Sequence, residues 1–235
     1  ITAVLGMNEL ILRQTKDKTI RHYAKDVEGA AKSLLSIIND ILDISKIESG
    51  KLTVISAEYD LGTVIRDVVN MMSFKAKVKG LQFVLELDEN IPAKLVGDDI
   101  RLRQILVNLL NNAVKYTHEG SVTLELSAVT ADSDNAVKLH VSVKDTGIGI
   151  KEEDLQKLCE PFERIEEKRN RNIEGTGLGM SITKQLLGLL NSELMVNSEY
   201  GVGSEFSFDL VQEIVDASPI GNISDYADTV EDNYR

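Results

Sequence analysis

The chain has 235 residues, 43% of them hydrophobic, enough for a packed core in one large domain or two small ones. Its 38 acidic and 26 basic side chains leave a formal net charge of -12, which argues against nonspecific nucleic-acid binding and against docking on an anionic membrane. The single cysteine, Cys159, excludes an internal disulfide. No apolar run approaches the roughly 18 residues of a membrane span and no signal-peptide pattern opens the chain, so the expectation is a cytoplasmic polypeptide without direct membrane contact, or the cytoplasmic piece of something larger.

The first fifty residues contain no proline, and their spacing predicts a helix from Ile1 to about Arg13, a polar turn over QTKDKT, and a second helix from about Thr19 to Ser49 that Gly50 stops. Val27, Ala31, Leu34, Ile38 and Ile41 form a heptad-like stripe, widened by Leu35, Ile37, Leu42 and Ile44. At 1.5 Å per residue the second helix is roughly 45 Å long and the first only about 20 Å. Antiparallel neighbours of such unequal length leave half the stripe uncovered. The expectation is a truncated hairpin whose first helix begins upstream, paired with a second hairpin in a dimeric four-helix bundle. The alternative is a stripe that serves only as core.

After Gly50, KLTVIS is expected to be a strand. Asp60 should cap a helix over LGTVIRDVVNMMSFKAKVK that Gly80 ends, and LQFVLEL alternates as a half-buried strand. A helix over 101–116, strands GSVTLELSAVT and AVKLHVSVKD around a DSDN turn, and a short helix KEEDLQKL follow. Beyond an irregular charged stretch come a helix in GLGMSITKQLLGLL and strands ELMVNSE and SEFSFDL. The mixture predicts an α+β fold: an α/β sandwich with one mostly antiparallel mixed sheet and helices on one face. From Val211 onward the hydrophobic pattern fades and six acidic residues face one basic, which reads as a linker. The expected organisation is a hairpin at 1–50, a catalytic domain at 51–210 and an acidic linker at 211–235.

VNLLNNAVKYT puts three asparagines inside a helix, where asparagine is a mediocre former. At 100° per residue Leu102, Ile105, Leu106, Leu109, Leu110 and Ala113 gather on one side, and Arg101, Gln104, Asn108, Asn112 and Lys115 on the other. Carboxamide oxygens are hard ligands that suit Mg²⁺, and a lysine beside them suits phosphate oxygens. A merely solvated polar face is the other reading. Asn111 lies about 60° from Asn108 and about 100° from Asn112, off that arc.

In VKDTGIGI, Asp145 stands at the end of an alternating strand, where a carboxylate can accept from an exocyclic amine such as that of adenine. Gly147 and Gly149 would let the backbone approach a flat ligand, and a plain turn would use the same residues. EGTGLGMSI places Gly175, Gly177 and Gly179 directly ahead of a helix, where free N–H groups and the helix dipole make an anion site or simply a hinge. Between the two lies PFERIEEKRNRNIE, with Arg164, Lys168, Arg169 and Arg171, either a mobile lid carrying cations or a solvated loop. YGVGSEFSF adds Gly201 and Gly203 at a turn before a strand.

The order of these segments is what is specific, and here the chain resembles the sensor histidine kinases. RLRQILVNLLNNAVKYT is similar to their N box, DTGIGI to G1, EPFERI to F, GTGLGM to G2 and GVGSEFSF to the last glycine box, over about Leu95 to Leu210. ITAVLGMNELIL and SLLSIINDILDISKIESGKL resemble parts of the two dimerisation helices. The resemblance implies a Bergerat-type ATP-binding sandwich and transfer of the ATP γ-phosphoryl group to a histidine on the first dimerisation helix. It implies Mg²⁺ on Asn112 with Asn108 in support, Lys115 and Tyr116 near phosphates and ribose, and Asp145 reading the adenine amine. Gly147, Gly149 and Ile150 would shape that pocket, with Ser204 joining the nucleotide site. Phe162 would anchor the lid, Arg171 reach the γ-phosphate, and Gly175, Thr176, Gly177, Leu178 and Gly179 wrap the phosphates. A homodimer and a response-regulator receiver domain, in cis or in trans, are the implied partners; the acidic tail resembles a connector to such a receiver.

The family's phospho-acceptor histidine should lie just upstream of ITAVLGM. His22 follows the interhelical turn, His140 sits in a strand, and His118, though followed by Glu119, lies in the loop after the N box. The expectation is a core that binds Mg-ATP without phosphorylating itself. An ATP-driven clamp of the same fold would carry a glutamate base four residues before the metal asparagine. Here that position is Asn108, an amide that takes no proton at neutral pH. A nucleotide-blind dimeric scaffold is the third possibility.

Overall fold

A computed structural model describes residues 1–131, 133, 135–163 and 176–221. The chain divides into two compact units between Leu52 and Thr53. The first unit is a hairpin of α1 (Thr2–Gln14) and α2 (Lys18–Glu48). Asp17 caps α2 by accepting from the N–H groups of Thr19 and Ile20, at 2.7 and 3.2 Å. The buried Asn8 amide donates to the Ala24 carbonyl at 2.7 Å, a polar tie between the two helices. Along α2 only Ala24 and Ala31 are buried. Val27, Leu34, Ile38 and Ile41 remain 38–49% exposed, so the expected stripe is present and uncovered within this hairpin.

The second unit begins with β1 (Ala57–Asp60), α3 (Leu61–Lys79), β2 (Gln82–Leu87), β3 (Pro92–Gly97) and α4 (Asp99–Tyr116). It continues through β4 (Ser121–Thr130), β5 (Ala136–Asp145), α5 (Glu152–Leu155), α6 (Gly179–Leu189), β6 (Met195–Glu199) and β7 (Gly203–Pro219). Among the described residues the strands form one seven-stranded sheet in the order β1-β3-β7-β5-β4-β2, with β6 also paired to β7. Only β2 and β4 run parallel; the other ladders are antiparallel. This is the expected α+β sandwich. Val137, Leu139, Val141 and Val143 of β5 turn inward, while Lys138, His140 and Lys144 turn outward into ion pairs with Asp209 and Glu125. The inward side of the sheet is covered by α3 over β2 and β3 and by α4 over β4 and β5, through Leu61, Ile65, Val68 and Met72 of α3 and Leu102, Ile105, Leu106 and Leu109 of α4, all essentially inaccessible. Burying each such side chain contributes roughly 1.5–3 kcal/mol.

Three local expectations need correction. KLTVIS is irregular; the strand starts later, at Ala57, because the Ile55 N–H is drawn to the Asp98 carboxylate at 3.0 Å instead of a neighbouring strand. A strand at Pro92–Gly97 was not expected, and its register shifts on both sides of Lys94 break the alternation that would reveal it. The sheet also continues past residue 210. β7 runs to Pro219, held by β5 up to Glu213 and by β3 beyond it, and the inward Gln212 bonds the buried Tyr59 hydroxyl. Ladder hydrogen bonds hold this segment where its composition does not. Residues 222–235, and Asp132 and Asp134 of the expected turn, lie outside the described residues.

α3 and α4 lie side by side and parallel, laced by contacts at one sequence offset. The Arg103 guanidinium pairs with Asp67 at 2.9 Å, Lys75 donates to the Asn111 amide oxygen at 2.8 Å, and Lys79 donates to the Lys115 carbonyl at 2.7 Å, each pair 36 residues apart. Lys79 also donates to the Val114 carbonyl, so a cation caps the last turn of α4. Asn111, the asparagine that falls off the functional arc, is therefore the middle tie of this lacing.

Candidate functional site

The polar arc of α4 faces the first turn of α6. The Asn108 amide donates to the Gly179 carbonyl at 3.3 Å and more weakly to the Thr183 hydroxyl at 3.5 Å. The Asn112 amide donates to the Met180 thioether at 3.1 Å. A carbonyl and a thioether offer only lone pairs, so Asn108 turns its NH₂ end to the Gly179 carbonyl and Asn112 its NH₂ end to the Met180 sulfur. At the last turn the Lys115 ammonium rests 4.7 Å from the centroid of the Tyr116 ring.

The Tyr116 carbonyl leads directly to the Asp145 loop. It accepts from the Ile148 N–H at 3.3 Å, and a Cβ on Gly147 would sit 2.5 Å from it. The Gly147 N–H in turn donates to the Asp145 carboxylate at 2.8 Å. Burial holds the Asp145 carboxyl above the usual aspartate range, opposed by N–H bonds from Gly147 and Ser204. Asp145 stands opposite Ser204 in the β5–β7 register, and a Cβ on Gly203 would overlap the Asp145 carbonyl. These side-chain-free positions let backbone segments close up into a wall beside the carboxylate.

Ser198 and the Glu199 carbonyl complete that wall, and neither was anticipated. The Ser198 hydroxyl accepts from the Ile150 N–H at 2.8 Å, donates to the Gly203 carbonyl at 3.0 Å, and stands 3.0 Å from the Ser204 hydroxyl. Gly149, at φ 64°, packs so closely that a Cβ would overlap the Glu199 carbonyl. No motif marks Ser198; only the β6–β7 pairing, which sets it opposite Ser204, brings it here.

On the other flank, the backbone of Phe162 and Glu163 closes over Gly177. The Phe162 side chain is 68% exposed. The Thr176 hydroxyl accepts from the Leu178 N–H at 3.1 Å, Leu178 is fully buried, and Gly179 opens α6 beside Asn108. The expected roles of Arg171 and Gly175, with Arg164, Lys168 and Arg169, fall outside the described residues. Asn108 and Asn112 thus meet Gly179 and Met180 at the first turn of α6, while Lys115, Tyr116, Asp145, Gly147, Gly149, Ile150 and Ser204 belong to a second network that starts at the last turn of α4.

A carboxylate at a strand end, carboxamides on a helix and glycines ahead of a second helix, set on this α/β sandwich, point to a nucleotide-binding fold. The model of the histidine kinase-, DNA gyrase B-, and HSP90-like ATPase family matches residues 97–214, and that of the His Kinase A (phospho-acceptor) domain matches residues 1–50. The chain belongs to the histidine kinase-, DNA gyrase B-, and HSP90-like ATPase family, as the ATP-binding catalytic core of a sensor histidine kinase. It is 36% identical over 210 residues to hybrid signal transduction histidine kinase B of Dictyostelium discoideum, covering 89% of this chain and 11% of that protein. It is 36% identical over 216 residues to the autoinducer 2 sensor kinase/phosphatase LuxQ of Vibrio cholerae serotype O1, covering 92% of this chain and 25% of that protein. The chain thus spans a quarter or less of these curated relatives. Among solved structures, full-length ShkA in complex with AMPPNP is similar with a TM-score of 0.74 and 30% identity, covering 92% of this chain and 43% of that one. No described helix is long and apolar enough to cross a membrane.

Proposed function

We propose that this chain binds Mg-ATP beside the Asp145 carboxylate and the polar arc of α4 and passes the γ-phosphoryl group to a histidine of a dimerisation helix, from which it moves on to a response-regulator aspartate. What supports this reading is that α4 carries the Asn108 and Asn112 amides to the first turn of α6 and, at its end, the Tyr116 carbonyl to the Asp145 loop. In it Asp145 accepts from the adenine amine, Gly147, Gly149 and Gly203 let the backbone segments around that carboxylate pack together, and the first turn of α6 takes the phosphates. Among the described residues no group of three His, Cys, Asp or Glu side chains could hold a metal. The donor is instead the Asn112 carboxamide oxygen, with Asn108 in support, a hard ligand that fits Mg²⁺, which keeps several waters and shares substrate phosphates. When bound, the ion would neutralise charge on those phosphates.

Asn108 offers no base to a water molecule, which favours transfer to protein over hydrolysis. The uncovered stripe Val27, Leu34, Ile38 and Ile41 supports a homodimer through the α1–α2 hairpins, as a four-helix bundle. None of the three histidines lies on α1: His22 is on α2, His118 follows α4, and His140 pairs with Asp209 on the sheet.

Titration of the 235-residue chain with a fluorescent ATP analogue should give saturable, Mg²⁺-dependent binding. Asn112→Ala should weaken it at least about tenfold in Mg²⁺, in line with loss of a metal ligand or its immediate support. Binding indifferent to Mg²⁺ and to Asn112→Ala would overturn the assignment. Incubation with Mg-ATP should leave no acid-labile phosphohistidine on this chain, and its appearance there would show that one of the three histidines is the acceptor after all.

A further inference from the structure

The N–H···S contact between Asn112 and Met180 gives the metal site a support that its glycine and asparagine motifs do not describe. A primary carboxamide can present either its oxygen or its NH₂ to a given neighbour, and the two ends differ little in size. On the open arc of α4, rotation about the last side-chain bond would exchange them and take the oxygen away from a cation. At Asn112 the neighbour is the thioether of Met180, which accepts and cannot donate. Met180 is 8% exposed, in the first turn of α6. Its sulfur is thus held against one end of the amide by the packing of that turn.

We infer that Met180 is a positioning residue: its thioether selects the rotamer of Asn112 that aims the carboxamide oxygen at the Mg²⁺ of the bound nucleotide. The inference rests on the proposed role of Asn112 as a metal ligand and adds what orients it. The Gly179 carbonyl does the same for Asn108, so the first two residues of α6 orient both amides. The turn that takes the phosphates is therefore also the turn that orients the metal donors. A leucine at 180 would fill nearly the same volume and accept nothing.

The test is the half-saturating Mg²⁺ concentration for binding of a fluorescent ATP analogue by the 235-residue chain. Met180→Leu should raise it about fivefold, below the roughly 10- to 100-fold typical of charged outer-shell partners, because a thioether is a weak acceptor. Met180→Gln, which restores an acceptor oxygen on a chain of similar length, should bring it back to within about twofold of the native value. In an Asn112→Asp background, where no N–H remains to be held, Met180→Leu should change it less than about twofold. A readout without metal or nucleotide is the side-chain NH₂ resonance pair of Asn112, identified by its loss in Asn112→Asp. That pair should move in Met180→Leu.

Two results would overturn the proposal: a Met180→Leu titration that superimposes on wild type, or an equal shift in the Asn112→Asp background, which would mean that Met180 acts by packing alone. Unchanged Mg²⁺ dependence in Asn112→Ala would instead remove the metal assignment itself, and the orientation role with it.

Discussion

Asp145→Asn is expected to cost about 100-fold in ATP affinity, the scale of a lost hydrogen bond to a charged group, while the protein melts within about 2 °C of wild type. The substitution keeps the shape of the side chain and an oxygen for the Gly147 N–H, and it replaces the acceptor proposed to meet the adenine amine by an amide that can present a donor. The pH dependence follows from burial. Because burial raises the Asp145 carboxyl above its ordinary range, ionising it costs the folded protein more than the unfolded chain. That penalty is absent below the ordinary aspartate pKa and complete above the raised one. As pH falls through the raised value, the wild type should therefore gain melting temperature relative to Asp145→Asn, whose side chain does not titrate. Over the same interval wild-type ATP affinity should fall as the carboxylate is protonated, and the variant's weak affinity should stay flat. Scanning calorimetry and nucleotide titration from pH 4 to 8 read both trends. An Asn variant that binds ATP normally would remove Asp145 from base recognition.

Gly149→Ala should be among the most damaging single-methyl changes in the site, costing on the order of 4 kcal/mol or more, or roughly 10 °C in melting temperature. Two penalties combine there. The backbone is left-handed at φ 64°, and the added Cβ would overlap the Glu199 carbonyl oxygen and lie 2.7 Å from its carbon and 2.9 Å from Tyr200 Cα. All of these are backbone atoms tied into the β6–β7 hairpin, so relief requires moving a strand. Gly201→Ala is the matched control. Its φ is 86°, yet nothing lies within 4 Å of the added Cβ, so it should cost only the left-handed penalty of about 1 kcal/mol. Urea denaturation of the two variants separates close approach from conformation, and equal losses would refute the clash.

The central sheet and the helices were legible because burial imposes a period. β4 alternates as far as Leu126 and β5 as far as Val141, and α4 keeps its leucines to one side. The misses are places where backbone pairing, not side-chain burial, decides. Pro92–Gly97 hides behind its register shifts, and Val211–Pro219 is held in the sheet by two neighbouring strands despite its polar composition. At the site, Asp145, Gly147 and Gly149 could be read from one short segment, since a strand end and a turn are local. Ser198, Met180 and Thr183 could not. Ser198 is set beside Ile150 by strand register, and the other two meet α4 across about seventy residues of sequence, through packing alone.

The lacing of α3 to α4 fixes an angle as well as a position. The side-chain tips of a helix stand about 5–6 Å from its axis, so a roll of α4 by only 20° would carry the Asn108 and Asn112 oxygens sideways by about 2 Å, the length of a metal–oxygen bond. Asp67–Arg103, Lys75–Asn111 and Lys79–Lys115 repeat at the same offset along more than three turns, so any roll strains all three together. In mechanical terms α4 is a keyed shaft. Asn111 is one of its keys, and it sets the rotation at which the other two asparagines are indexed.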